Sequence, residues 1–350
     1  MPIKIAINGY GTIGKRIAEA FLKNSDFDLI GIGKYSFDYS VYIAEKLGIR
    51  VFTPRDKTEE FRKHGVEVEG DVEYLISESE LIYDASPAKQ GPRNKELYLK
   101  YNKPAVFQGG EQASIAEVSY STLCNYESAI GRRYVRVVSC NTTGILRVLC
   151  SLGLGNLSSV IGLIIRRASD PKEDMKGPVN SITLDMRSIP SHHAHDVKTV
   201  IGDIPIDTIA IAAPTTLMHL QVLIIRLKDP IKEDDLFRQL EMSGRITYLD
   251  PNIYNLNSTG KLVELARDIG RRRYDIYENI LFTNATRILH NEIIITQAIH
   301  QESIVIPENM DVAYAIMGLE TDPLKTLEKT NKILGIGEIK NLLAISDNSI

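Results

Sequence analysis

A short apolar run that ends in closely spaced glycines constrains this chain more than any other feature in it. Ile3, Ile5 and Ile7, with Ala6 among them, predict a buried strand that runs straight into Asn8-Gly9-Tyr10-Gly11-Thr12-Ile13-Gly14. Beyond it, Ile13, Ile17, Ala20 and Phe21 share one helical face, and Leu29-Ile30-Gly31-Ile32 follows as a second strand. Glycine spacing alone is a weak signal. Between a strand and a helix it points to a dinucleotide pyrophosphate seated on the helix N-terminus. Gly9, Gly11 and Gly14 shape that turn, and Thr12 and Ile13 bring backbone N–H groups to the phosphates; the competing reading is a turn kept for packing.

The same alternation continues. Leu81-Ile82-Tyr83-Asp84 and Pro104-Ala105-Val106-Phe107 read as further short strands, with Gly109 and Gly110 at a strand end where a cofactor can approach backbone. Short apolar strands alternating with helical stretches predict a parallel sheet covered by helices. Val51 to Tyr74 is more polar, with Val66 and Val68 alternating, and reads as a small antiparallel insertion. After about residue 150 the strands lengthen, as in Val160–Ile165, Ile206–Ala212 and Leu220–Arg226. At 350 residues two domains are expected. The fold class is α/β: a Rossmann-type dinucleotide domain over residues 1–138, then an α+β catalytic domain with a mostly antiparallel sheet over 139–300. Residues 301–350 form a C-terminal helical segment expected to pack back on the first domain.

An NAD-selective site carries an acidic residue near the end of the second strand, where it binds the ribose hydroxyls. Here that place reads Gly33-Lys34-Tyr35-Ser36. Lys34 and the hydroxyls suit a 2′-phosphate, so NADP is expected as a cofactor alongside NAD, with NADP preferred. The alternative is that Lys34 is a solvated loop charge.

The second chemical feature is Ser139-Cys140-Asn141-Thr142-Thr143-Gly144, between the strand Tyr134–Val138 and a helix whose buried face is Ile145, Val148, Leu149 and Leu152. Cys140 therefore sits at a helix N-terminus, where unpaired N–H groups and the helix dipole favour a thiolate and lower the thiol pKa. Asn141, Thr142 and Thr143 are all plausible caps. Polar groups gather at other strand ends: Arg166 and Arg167, a loop Ser191-His192-His193-Ala194-His195-Asp196, and His219 at the start of a strand. Paired arginines suit a phosphate, and a paired surface charge is the alternative. No further ligand is spaced to help the histidines hold zinc, so no metal is expected.

Composition closes off other classes. A net charge of −4 gives no reason to expect nucleic acid, and no run approaches the roughly 20 apolar residues a membrane span needs. Cys124, Cys140 and Cys150 lack metal-ligand spacing and read as reduced thiols of a cytoplasmic protein.

Taken together, these motifs resemble the archaeal-type phosphorylating glyceraldehyde-3-phosphate dehydrogenases over nearly the whole chain. The likeness rests on the glycine turn, Phe107-Gln108-Gly109-Gly110-Glu111, the Cys140 segment, Arg166-Arg167-Ala168, Pro190-Ser191-His192-His193, Pro214-Thr215-Thr216-Leu217-Met218-His219 and Gln297 to Ser303. The resemblance implies Cys140 as nucleophile and His219 as its base. It implies substrate contacts from Ser139, Asn141, Arg166, His192, His193 and Ala194. Cofactor contacts fall to Thr12, Ile13, Gly110, Arg167 and Gln301. It further implies phosphorylating oxidation of glyceraldehyde 3-phosphate with inorganic phosphate, through a cysteine hemithioacetal and thioester, in a homotetramer of central carbon metabolism. Ala194 stands where the family has glycine, and Asp84–Gln90 is less glycine-rich than its counterpart. Rival readings are a semialdehyde or acyl-phosphate reductase and a catalytically silent, nucleotide-responsive protein.

Overall fold

The computed structural model describes residues 1–170 and 177–347, with side chains described as far as residue 344. Positions 348–350 of the expected C-terminal helical segment lie outside the described residues, as does Pro171 beyond the arginine pair. The chain forms two compact units. The first contains Met1–Tyr120, Tyr126–Val138 and Glu308–Asp322; the second contains Ser121–Asn125, Ser139–Pro307 and the described residues from Pro323 on.

The first unit is built on strands β1 (Ile3–Asn8), β2 (Phe27–Gly33), β3 (Val51–Phe52), β4 (Val68–Gly70), β5 (Leu81–Asp84), β6 (Ala105–Phe107), β7 (Val118–Tyr120) and β8 (Tyr134–Val137). They pair in the order β4-β3-β2-β1-β5-β6-β8-β7, and every pairing is parallel. From β1 the chain steps outward to β4 and then returns to place β5 on the other side, so the order reverses between β1 and β5. A crevice opens at the carboxyl ends of strands where the order reverses, and the glycine turn follows β1 at that point. Asp84 braces the place. It accepts from Tyr98 and Asn94, each at 2.9 Å, and Tyr98 accepts from Asn8 at 2.7 Å.

The stretch expected to be an antiparallel insertion instead extends this parallel sheet as β3 and β4. Between them lies the helix Thr58–Lys63, whose Phe61 is fully buried. Parallel neighbours need a crossover, and the polar surface of this helix obscured its single apolar anchor.

The second unit holds β9 (Leu157–Arg167), β10 (Thr183–Leu184), β11 (Ile206–Ala213), β12 (His219–Leu227), β13 (Ile246–Leu249), β14 (Asn279–Phe282), β15 (Arg287–Leu289) and β16 (Glu292–Ile299). Their order is β10-β11-β9-β12-β16-β14-β13, with β15 also on β16. The sheet is mixed: β11–β9 and β13–β14 are parallel and the other pairings antiparallel. The helix Cys140–Ser151 anchors itself through Ile145, Leu146, Val148 and Leu149, all fully buried. Each contributes about 1.5–3 kcal/mol of apolar burial. Gly153, at φ +81, supplies the stop after this helix.

The cysteines correct one expectation. Cys124, on the short helix Thr122–Asn125, forms a disulfide with Cys150 near the end of the helix Cys140–Ser151, at a Cα–Cα distance of 5.4 Å. Only Cys140 is free. The pair is 26 residues apart in sequence, and no local pattern signals that the fold brings it together. Among the described residues no helix is long and apolar enough to cross a membrane. Thiol titration of the native oxidised protein is expected to find one reactive group per chain, at Cys140. Cys150→Ser should lower unfolding stability by about 2–4 kcal/mol, the usual range for losing such a cross-link. Three titratable thiols in the untreated native protein would remove the cross-link.

Candidate active site

Cys140 opens the second unit's central helix. Ser139 caps it, its hydroxyl accepting from Thr142 N–H at 3.5 Å, where Asn141, Thr142 and Thr143 were the expected caps. Thr142 Oγ1 in turn donates to Asp196 Oδ2 at 2.6 Å, which ties this helix to the helix His192–Ile201. The expected histidine loop is thus the first turn of a helix. His193, Ala194 and Val197 are its buried face, a short apolar stripe hidden in the sequence by the polar residues around it.

The expectation of a lowered thiol pKa does not hold. Burial pushes the Cys140 thiol above its ordinary value, outweighing Arg166, Arg167 and the backbone N–H groups, which act the other way. Helix position alone does not decide the charge of a thiol that is also withdrawn from water.

His219 begins β12, directly after Met218, whose backbone is left-handed at φ +56. It is almost wholly buried, and burial drives its pKa well below the ordinary value, aided by Arg166, Arg167, His193 and His300. The imidazole is therefore neutral. Its Nδ1 lies 2.9 Å from Asn141 Oδ1, so the ring is held over the first turn of the helix that Cys140 begins. Gln221, two residues along the same strand and on the same face, donates to Asn141 O at 3.0 Å and to Asn141 Oδ1 at 3.1 Å.

Arg166 and Arg167 end β9 with opposite surroundings. Arg167 is buried between Asp170 and Glu302, the latter at 2.7 Å, and the Gln301 amide oxygen, turned toward it, accepts from Nε at 2.8 Å. Among the described residues Arg166 pairs with Asp185, and its side chain stays 34% exposed. His193 is buried with neither ring nitrogen hydrogen-bonded among the described residues, and its pKa is pushed down to about 3 by burial, then by His192 and Arg166. The His192 ring lies 3.9 Å from it and is exposed. Ala194 is fully buried, with its N–H donated to Thr208 Oγ1 at 3.1 Å. Asp185, Asp196, Thr208, Gln221 and Glu302 were not foreseen. Their partners lie as far as 135 residues away, so only the folded sheet reveals them.

In the first unit, the turn after β1 fits a dinucleotide. A Cβ on Gly14 would meet Gly9 O at 2.0 Å, and one on Gly9, at φ +109, would meet Ala85 O at 2.5 Å. Only glycine fits either place. The helix Thr12–Phe21 starts at Gly11 with no side-chain cap and no acidic residue in its first turn, leaving the positive end of its dipole uncompensated. Lys34 is buried, unlike the solvated loop charge of the alternative reading. Its side chain is 8% exposed, and Nζ donates to Asp38 at 2.6 Å. Burial would raise the Asp38 carboxyl, but bonds from Lys34 and Ser40 prevail and hold it below the ordinary value. A cleft of about 810 Å³ opens nearby, lined in part by Tyr35, Pro54, Arg55, Asp71 and Arg93. Gly110 lies just past β6 beside a second cleft of about 620 Å³.

A parallel sheet with a glycine turn after its first strand, accompanied by a second unit that carries one free cysteine and a buried neutral histidine, is the arrangement of a nucleotide-linked dehydrogenase. Residues 139–262 match the family described as glyceraldehyde 3-phosphate dehydrogenase, C-terminal domain. The chain is 46% identical to the glyceraldehyde-3-phosphate dehydrogenase of Metallosphaera sedula, over 96% of this chain and 98% of that one. It is 45% identical to that of Hyperthermus butylicus, over 95% and 97%. It belongs to the glyceraldehyde-3-phosphate dehydrogenase family. In fold it is also similar to aspartate semialdehyde dehydrogenase II of Vibrio cholerae, with a TM-score of 0.65 over 91% of this chain and 99% of that one, at 11% identity.

The buried neutral histidines give stability a defined pH dependence. Unfolded histidines titrate near pH 6.5, whereas folded His193 and His219 resist protonation, so below about 6.5 the unfolded chain binds more protons and gains. Stability should fall with falling pH, by up to about 1.4 kcal/mol per pH unit for each histidine. For His193 the window runs from about 6.5 down to about 3. Denaturant unfolding at pH 7 and pH 5 should show this loss, reduced in His193→Gln. An equal loss in that variant would contradict a neutral His193.

Proposed function

We propose that this protein carries out phosphorylating oxidation of glyceraldehyde 3-phosphate to 1,3-bisphosphoglycerate with NADP or NAD. The observation that carries the reading is neutral His219 bonded to Asn141, the residue that follows free Cys140 at the start of its helix. Cys140 Sγ adds to the aldehyde carbon, and the thiol proton passes to the aldehyde oxygen, giving a hemithioacetal. The nicotinamide ring, when bound, supplies the hydride acceptor. His219 Nε2 takes the hydroxyl proton as that carbon is oxidised, leaving a thioester on Cys140 and an imidazolium. Inorganic phosphate then attacks the thioester carbon, and the departing sulfur recovers its proton from His219. General-base assistance of this kind contributes about 10²–10⁴-fold.

Of the two arginines, Arg166 is the better phosphate ligand. Among the described residues it has one carboxylate partner and keeps a third of its side chain exposed, whereas Arg167 is enclosed by two carboxylates and Gln301. His193 adds a donor that has no partner among the described residues. Ser139 and Asn141 at the start of one helix, and His192 and Ala194 at the start of the helix tied to it through Thr142 and Asp196, supply the remaining substrate contacts. Thr12, Ile13 and the three turn glycines hold the pyrophosphate, with Gly110, Arg167 and Gln301 completing the cofactor contacts. A homotetramer in the cytoplasm completes this reading.

Cys140→Ser should abolish oxidation yet leave cofactor binding intact, because a serine hydroxyl does not ionise near neutrality. Turnover comparable to wild type in a clean Cys140→Ser preparation would overturn the proposal.

Lys34 and Asp38 place a cation and a carboxylate together beyond β2, which suits acceptance of both cofactors. Lys34→Ala is expected to weaken NADP by about ten- to hundredfold, or ~1–3 kcal/mol, and barely touch NAD. Asp38→Asn should favour NADP over NAD. Because Lys34 is nearly enclosed, salt should erode its effect less than at an open surface pair. Titrations of both cofactors decide the point, and equal losses of NADP and NAD in Lys34→Ala would show that Lys34 only supports the loop.

A further inference from the structure

We infer that Gln221, Gln297 and Asn279 form a buried amide relay that fixes the proton of His219 on Nδ1 and so leaves Nε2 bare; the inference rests on His219 being the base proposed above. All three side chains are fully buried, and each belongs to a different strand: β12, β16 and β14. Asn279 Nδ2 donates to Gln297 Oε1 at 2.9 Å. Gln297 Nε2 donates to Gln221 Oε1 at 2.9 Å. Gln221 Nε2 donates to Asn141 Oδ1 at 3.1 Å, and that oxygen faces His219 Nδ1 at 2.9 Å.

A chain of amides can in principle run in either direction, because each can be turned end for end. Here its direction is set by groups that cannot reverse. Asn279 and Gln297 both point an amide nitrogen at Gly144 O, at 2.9 and 3.1 Å, and a backbone carbonyl only accepts. Gln221 points its nitrogen at Asn141 O. At the far end Arg147, fully buried, directs Nη1 at Asn279 Oδ1, and a guanidinium only donates. Turning any one amide would put donor against donor or acceptor against acceptor in a fully buried site, at a cost of about 1–3 kcal/mol per orphaned group.

Asn141 must therefore present oxygen to both neighbours, and His219 must answer with N–H at Nδ1. The remaining nitrogen is the one able to accept a proton. Gly144 is part of the device: a Cβ there would meet Gln221 Oε1 at 2.9 Å and Ile299 Cγ2 at 3.1 Å, so a larger residue would displace the relay. These are positioning residues, which act on the reaction through the tautomer of His219.

The tautomer is read directly by nitrogen NMR of protein labelled with ¹⁵N-histidine, the His219 signals being those absent from His219→Asn. Wild type should show Nδ1 protonated and Nε2 bare; the reverse overturns the inference, and because no turnover is needed, an inactive protein would still report it. Gln221→Glu replaces the donor with a group that only accepts once ionised. Above the pH of that ionisation Asn141 should rotate, the His219 proton should move to Nε2, and kcat should drop by about 10²–10⁴-fold as pH rises, with the KM for cofactor unchanged. Gln221→Met, which keeps length and removes both polar groups, is the milder variant should the acidic one fail to fold. It should give mixed tautomers and a reduced kcat. Wild-type tautomer and kcat in a folded Gln221 variant would show that the amides only pack.

Discussion

The hydrogen bond between His219 and Asn141 is the contact on which the chemistry proposed for the second unit depends. It joins the start of β12 to the first turn of the helix that Cys140 begins, and so couples the mixed sheet to the helix packed on it. Burial makes the bond effective. In water the ring would turn and titrate freely, whereas here its charge is suppressed and its direction is set by a side chain that is itself held. Asp196 extends the same coupling to the helix carrying His192 and His193.

The resting site is electrically restrained. The Cys140 thiol is pushed up and the His219 imidazole down, so the pair rests as thiol and neutral imidazole instead of an ion pair. Arg166 and Arg167 draw the thiol toward ionisation, but burial outweighs them; the arginines are themselves paired with Asp185, Asp170 and Glu302. A phosphate arriving at Arg166 would meet a cation only partly neutralised. In the proposed mechanism, reactivity thus depends on what enters the site more than on an anion stored within it.

Much of the fold was legible because it is written in local periodicity. The strand, glycine turn and helix at the N-terminus, the helix after Cys140, and the strand opened by His219 all lie where alternation and spacing put them. Errors arose where one apolar residue had to signal an element, as Phe61 does for the crossover between β3 and β4, or where polar residues masked a helix, as at His192–Ile201. Side chains expected at the site could be named from motifs, but their partners could not. The Cys124–Cys150 cross-link, the Lys34–Asp38 pair and the amides behind Asn141 are properties of the fold, with no trace in spacing.

The central claim is that Cys140 carries the substrate's acyl group between oxidation and phosphate transfer. Mixing the protein with glyceraldehyde 3-phosphate and NADP in the absence of phosphate tests it most directly. A single burst of reduced cofactor equal to the active chains should appear and then stall, with the acyl group found on Cys140 by mass spectrometry and turnover resuming when phosphate is added. Continuous turnover without phosphate and an unmodified Cys140 would contradict the account.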